Sequence, residues 1–383
     1  MRKGDQLAER LRATARPWEL AVFIWIPAIA LAYACWYEFH ARAALQDFVI
    51  FRNAALDVLH GRTPFPAADV HAFAHFDKFV YPPATALFFA PLAALPLAVG
   101  QALMLLLGVV ASLVALRLLG VVDWRCYGVV VMSAPAVNSF ALGAITSFLL
   151  LAVAAAWRYR DHAASSGAIT ALAAASKVFL WPVGLWLLAT RRLRATTLCV
   201  AVAVAVTVGG WAAIGFTGMR TYPRLLQLLS QAEQGTSYSP LALFGLSGRG
   251  ATAASLALAL LVVGCVGLAA RGTDGDRRAL AVAVLAALVA TPILWLHYLL
   301  LLVVPIALYR PRLTPLWFLP LLLWLTPSTH SHGVTWHIAL GLAVVGIVGL
   351  RTVGGEWTEP VAARLPRRRV RSQGVDAAVG ANV

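Results

Sequence analysis

Apolar stretches tile the chain from Trp18 almost to Leu350, interrupted by arginine clusters, by prolines, and by a few loops that hold nearly every other polar residue. A helix needs about 20 apolar residues to cross the hydrocarbon of a bilayer. In lipid each backbone N–H and C=O must be satisfied within its own segment, which selects helices over open strands. The pattern predicts an all-α, polytopic transmembrane helical bundle. Its first stretch, residues 18–37, follows Arg2, Lys3, Arg10, Arg12 and Arg16 in the manner of a secretory leader. It is too long for a leader's apolar core and has no small-residue cleavage site, so it is expected to stay as the first helix.

Composition and charge turn this pattern into a topology. Of the 383 residues, 61% are hydrophobic and 12% charged, too few polar side chains to clothe a water-soluble domain. The formal charge of +15 invites a nucleic-acid partner. The basic residues lie instead in short clusters between apolar runs, as the positive-inside rule produces, and no nucleic acid is expected. With the N-terminus in the cytoplasm, the inside connections carry Arg117 and Arg125; Arg158 and Arg160; Arg191, Arg192 and Arg194; Arg271, Arg277 and Arg278; Arg310 and Arg312; and the tail from Arg351 to Arg371. About three quarters of the 31 Lys and Arg then lie inside. The assignment needs about twelve helices, within a range of roughly ten to thirteen, several of them short or Pro-broken, as at residues 126–137, 166–177 and 179–190. Residues 81–96 are apolar but carry Pro82, Pro83, Pro91 and Pro96, and would break the alternation if they crossed; a re-entrant or interfacial element is expected there. Residues 1–350 form a single membrane domain, with 38–96 as its first extracytoplasmic loop and interfacial segment, and residues 351–383 read as a disordered basic cytoplasmic tail.

On this topology the inside connections hold arginines and little else, while the distinctive polar residues collect outside, at 38–80, 138–143, 177, 216–240, 295–297 and 328–336. The first outer loop is long for a connection in a compact helical protein, a mark of function. Within it Asp47, Phe48, Arg52, Ala55, Asp57 and Leu59 have the spacing of a helix at the membrane surface, ended by Gly61 and Pro64. Asp47 falls near the start of that helix, where the dipole favours a carboxylate; it is either a cap or a general base. His297 lies in Thr291-Pro292-Ile293-Leu294-Trp295-Leu296-His297-Tyr298, and is either an interfacial histidine in an aromatic belt or a site residue at a helix end. Lys177, in the middle of an apolar hairpin, either snorkels to the surface or offers a point charge to a phosphate. His330, His332 and His337, with Trp336, match no standard metal spacing and read as a polar substrate-facing loop, so no metal site is expected. Asp57, Asp69, Asp77 and Glu233 read as solvated loop acids. Cys35, Cys126, Cys199 and Cys265 are isolated, which indicates neither a disulfide framework nor a metal knuckle.

The order of these features carries a resemblance. Along the chain come Asp47; Arg52-Asn53-Ala54-Ala55; Leu59-His60-Gly61-Arg62-Thr63-Pro64-Phe65; Tyr81-Pro82-Pro83; Gly143 to Ser147; Ala174-Ala175-Ser176-Lys177 with Pro182; and Thr291-Pro292-Ile293, Trp295 and His297-Tyr298. Across residues 18–350 this order resembles glycosyltransferase family 87, membrane enzymes of the GT-C class that use polyprenyl-phosphate sugars. The chain departs from that pattern in having Ala144 where Gln is common, Val178 and Phe179 where a proline soon follows the lysine, and Leu294 where a small polar residue precedes the tryptophan. The resemblance implies a GT-C-type fold, Asp47 as catalytic base, and His297 as a partner near the reacting sugar or phosphate. It implies Lys177 at the donor phosphate, with Arg52, Tyr81, Trp295 and Tyr298 as further substrate-binding residues. The implied donor sugar is most commonly mannose, with arabinofuranose the rival, the implied acceptor a cell-envelope glycolipid or glycan, and no cofactor is implied beyond the lipid-linked donor itself. The implied setting is a bacterial plasma membrane, with both termini cytoplasmic and the active site extracytoplasmic. A transporter or flippase is the alternative from a different class. Transporters keep polar residues near the midplane and often show internal repeats, whereas here they cluster at one face and no repeat is seen.

Overall fold

The computed structural model describes residues 16–40, 45–69, 79–233, 235–246, 248–326 and 336–354, and every regular element among them is helical. The first helix, α1, runs through Pro17–Leu20, a π-helical stretch at Ala21–Trp25, and Ile26–His40. After it come α2 (Gln46–Leu59), α3 (Pro83–Ala93), α4 (Leu97–Leu118), α5 (Arg125–Val131), α6 (Ala134–Leu142), α7 (Thr146–Arg158), α8 (Ala163–Ser176), α9 (Trp181–Ala189), α10 (Leu193–Ala213), α11 (Tyr222–Ala232), α12 (Pro240–Leu243), α13 (Gly248–Ala269), α14 (Gly275–Ala290), α15 (Val303–Tyr309) and α16 (Trp336–Thr352). Stretches of 3₁₀ helix lie at Val178–Leu180, Leu296–Leu302 and Pro315–Leu325.

Three of these, Pro17–Tyr37, Leu97–Leu118 and Leu193–Ala213, are long and apolar enough to cross a membrane, and a fourth is reached if α6 and α7, bent by 117° at their junction, count as one span. Their surfaces fit a lipid solvent. Trp25, Ile29 and Tyr33 on α1 and Val200 and Val204 on α10 are all more than half exposed, an apolar area that water would penalise. The region expected as one short span at 126–137 is two pieces, α5 and α6, broken at Met132 and Ser133. Helix α6 then continues through Asn138 to Leu142, so most of the connection expected at 138–143 is helical. It stops at Gly143, whose left-handed backbone (φ +65°) caps α6. Residues 81–96 yield α3, whose 11 residues span about 16 Å, short of the hydrocarbon thickness. Pro83 opens it at a position that has no N–H partner to lose.

Packing holds α2 and α3 together and sets α3 against α10. Gly210 of α10 allows this approach: a Cβ there would stand 2.6 Å from the backbone nitrogen of Ala84. The connections expected to hold arginines and little else also carry carboxylates. Asp276 of α14 accepts two bonds from Arg192 (2.6 and 3.0 Å), one from Trp186 (2.8 Å), and an ion pair from Arg160 (3.1 Å). Arg125 bridges Asp123 at 2.9 Å and Glu19 at 3.2 Å. Partly buried guanidinium groups need such counter-charges, so these arginines staple helices together. Helix α16 extends to Thr352, past the expected start of the tail at 351; residues beyond 354, together with His330, His332 and Asp77, lie outside the described residues.

Candidate active site

The first turn of α2 is fixed from α6. Leu45, just before α2, takes a left-handed conformation (φ 51°) and donates its N–H to the Ala141 carbonyl at 3.1 Å. Gly143 is required beneath it, since a Cβ there would lie 2.9 Å from Cβ of Phe48. Phe48 and Phe51 are fully buried, and Phe51 stacks on Phe89 of α3 (4.4 Å) and meets Tyr81 edge-on (4.8 Å). These contacts orient Asp47, the second residue of α2. The residue keeps part of its surface open, yet protein atoms crowd its carboxyl. Burial pushes its pKa from 3.8 up to about 6, against the pull of the Lys177 ammonium, with Glu233 adding to the rise. A capping carboxylate is stabilised as the anion, whereas Asp47 is destabilised as one, which is the character of a base.

Lys177 stands at a break. Helix α8 ends at Ser176, Lys177 is extended (φ −149°), and the 3₁₀ turn Val178–Leu180 follows. Thr85 of α3 donates to the Ser176 carbonyl at 3.0 Å, holding the break against α3. The lysine does not snorkel: it is 7% exposed, and its Nζ donates to the Tyr81 hydroxyl at 2.8 Å. The ammonium also faces the rings of Tyr298, Tyr81 and Trp295, at 4.1, 4.5 and 5.4 Å from their centroids. Desolvated cation–π contacts of this kind contribute about 2 kcal/mol. Phe179, one of the departures from the family pattern, stacks flat on Tyr298 at 4.7 Å and backs the cage.

His297 is also inside the protein. It is 3% exposed, its ring lies 4.8 Å from Tyr298 and 5.8 Å from Trp295, and its Nδ1 is 3.2 Å from Oδ1 of Asn138. Its Nε2 is buried and has no hydrogen-bond partner among the described residues. The structure thus brings Asp47, Lys177, Tyr81, Trp295, His297 and Tyr298 into one cluster. Arg52 stands apart, donating to the Leu95 carbonyl beyond α3 at 3.4 Å. His337 stands apart too: it is 4% exposed and packs edge-on against Tyr238 at 4.8 Å, a core histidine rather than a loop residue.

Sequence reasoning missed five contributors. Asn138 was hidden in an expected connection, and its partner is 159 residues away. Phe51 and Phe179 were ordinary apolar residues among many. Glu233, expected as a solvated acid, lies in electrostatic reach of Asp47 and accepts a bond from Thr236 at 2.8 Å. Tyr222 donates to the Val80 carbonyl at 2.8 Å and so anchors the strand of chain that presents Tyr81. The one available signal was scarcity: a polar residue in so apolar a chain needs a reason to be there.

A base beside a caged cation suits the removal of a proton from one group while negative charge grows on another. The family model described as Glycosyltransferase family 87 matches residues 79–305, which takes in Tyr81, Asn138, Lys177, Trp295, His297 and Tyr298 and leaves Asp47 ahead of it. No curated protein and no solved structure matches the chain. Covering well over half of the chain and every caged residue, the match shows that the protein belongs to glycosyltransferase family 87.

Proposed function

We propose that this glycosyltransferase moves a sugar, mannose first among the candidates, from a polyprenyl-phosphate donor to a glycolipid or glycan acceptor of the cell envelope, with inversion at the anomeric carbon. The observation that carries the reading is the aromatic cage that holds the Lys177 ammonium within electrostatic reach of Asp47. Asp47, ionised at neutral pH, takes the proton of an acceptor hydroxyl as that oxygen attacks the anomeric carbon. The bond from that carbon to the phosphate oxygen breaks, its electron pair leaving with the polyprenyl phosphate. Lys177 meets the charge that grows there, in a site dry enough to strengthen the interaction. Tyr81, Trp295 and Tyr298 hold the lysine and offer faces to the sugar, and Arg52, on the same helix as Asp47, is a further candidate for substrate contact. No cofactor is invoked in this reading.

The same reading sets the protein in a bacterial plasma membrane with about twelve crossings, several made of paired short helices, both termini cytoplasmic, and α2, α3 and the cage toward the outside. Nucleotide sugars are absent there, so a donor carried by lipid is needed. Arabinofuranose from the corresponding lipid is the second candidate, favoured by no single contact. The test is incorporation of label into lipid by membranes expressing the chain, from polyprenyl-phosphate-mannose, decaprenyl-phosphate-arabinofuranose and GDP-mannose in parallel. Label from the first is expected. Label from the second alone would replace the sugar, and label from the nucleotide alone would overturn the lipid donor and the outward site together.

A further inference from the structure

His297 offers the cluster a group whose role the transfer reaction alone leaves open. The Asn138 amide presents Oδ1 to the ring, 3.2 Å from Nδ1. A carbonyl oxygen only accepts, so this contact is a hydrogen bond in the tautomer that carries the ring proton on Nδ1. In the neutral imidazole, Nε2 is then a bare lone pair. That atom is buried and has no partner among the described residues, a state that is unfavourable unless a ligand completes it. The titratable groups nearest the ring are Tyr298 beside it and Lys177, which faces the same Tyr298 and Trp295 rings. A lone pair cannot stabilise a phosphate anion, but it can accept from a hydroxyl.

We infer that His297 accepts a hydrogen bond at Nε2 from one hydroxyl of the transferred sugar, and that Asn138 is the positioning residue that fixes this by holding the proton on Nδ1. This inference rests on the proposed transfer and sharpens it, since it assigns His297 to the sugar rather than to the leaving phosphate and makes it a determinant of which sugar is accepted.

The test uses the full chain in membranes, with polyprenyl-phosphate-mannose and its monodeoxy and deoxyfluoro analogues at each hydroxyl away from the anomeric carbon. At one position both analogues should be transferred about tenfold more slowly than the parent, because fluorine accepts but cannot donate. His297→Ala should erase that difference. Asn138→Asp places a carboxylate on Nδ1, favours the imidazolium, and turns Nε2 into a donor; the fluoro analogue should then gain on the deoxy analogue, a change that a merely structural role for Asn138 does not produce. A fluoro donor transferred as well as the parent by the wild type would overturn the inference, as would equal transfer of all analogues, and in either case mannose transfer itself would still stand. Absence of transfer by the wild type from any donor would remove the transfer reading and this inference with it.

Discussion

Replacing Lys177 by Met keeps the length of the side chain and removes the charge that opposes the rise in Asp47's pKa. In the wild type, burial lifts that pKa from 3.8 to about 6 although Lys177 pulls it down. A nearby opposite charge lowers a carboxyl group's pKa by about 1–3 pH units, and each unit is a tenfold change in ionisation. Without the lysine, Asp47 should therefore hold its proton until pH 7 or above. A base is active when ionised, so activity is present above its pKa and lost as pH falls through it. The wild type should show an acid limb near 6, and Lys177→Met a limb near 7.5. At pH 6.5 the ionised fraction of Asp47 then falls about eightfold. The maximal rate should also drop, by about ten- to a thousandfold, as the leaving phosphate loses its counter-charge. The assay is kcat/KM for sugar transfer between pH 5.5 and 9 by purified protein in liposomes. A maximal rate that drops while the limb stays near 6 would refute the coupling between the two groups, and an unchanged maximal rate would refute the phosphate role.

Further outcomes follow from the packing. Gly143→Ala imposes a left-handed backbone on a residue with a Cβ and drives that atom against Phe48, for a combined cost of about 2–4 kcal/mol; a lower Tm in detergent and a loss of transfer beyond the loss of folded protein are expected, because the same turn orients Asp47. Asp276→Asn strips the charge that Arg192 and Arg160 share and should lower stability by about 1–3 kcal/mol while leaving KM for donor and acceptor unchanged, as measured by denaturation and steady-state kinetics on the same preparation.

The parts of this molecule that were legible in its sequence are those with local causes. Helix α2 could be read from Asp47 to Leu59 because its apolar positions recur with helical spacing and Gly61, at φ +70°, ends it. That residues 81–96 would give only a short helix could be read from their four prolines, of which Pro82 and Pro83 open α3, Pro91 lies inside it and Pro96 follows it. Lys177 stood out because a lysine in an apolar run has few reasons to exist. What stayed hidden depends on long-range meetings. In a helix that is apolar on every side, the face toward lipid and the face toward protein look alike, so the sequence did not show that α6 would bring Asn138 to His297 or that α8 and α3 would bring Lys177 to Tyr81. The 3₁₀ stretches at Leu296–Leu302 and Pro315–Leu325 are equally mute, since their composition is that of any apolar helix. The arginine clusters read from sequence as marks of sidedness, whereas Asp276, 84 residues from Arg192, gives Arg192 and Arg160 a structural role that no local pattern announces.

The measurement that bears most directly on the account is single-turnover transfer of labelled mannose from polyprenyl-phosphate-mannose by Asp47→Asn, against wild type, with both proteins reconstituted in liposomes and matched for folded amount at pH 8. The substitution keeps the size of the side chain and removes its ability to take a proton. A rate lower by at least about a hundredfold, the scale of general-base catalysis, with donor binding retained, is the predicted result. Equal rates in the two proteins would place the base elsewhere and contradict the mechanism at its centre.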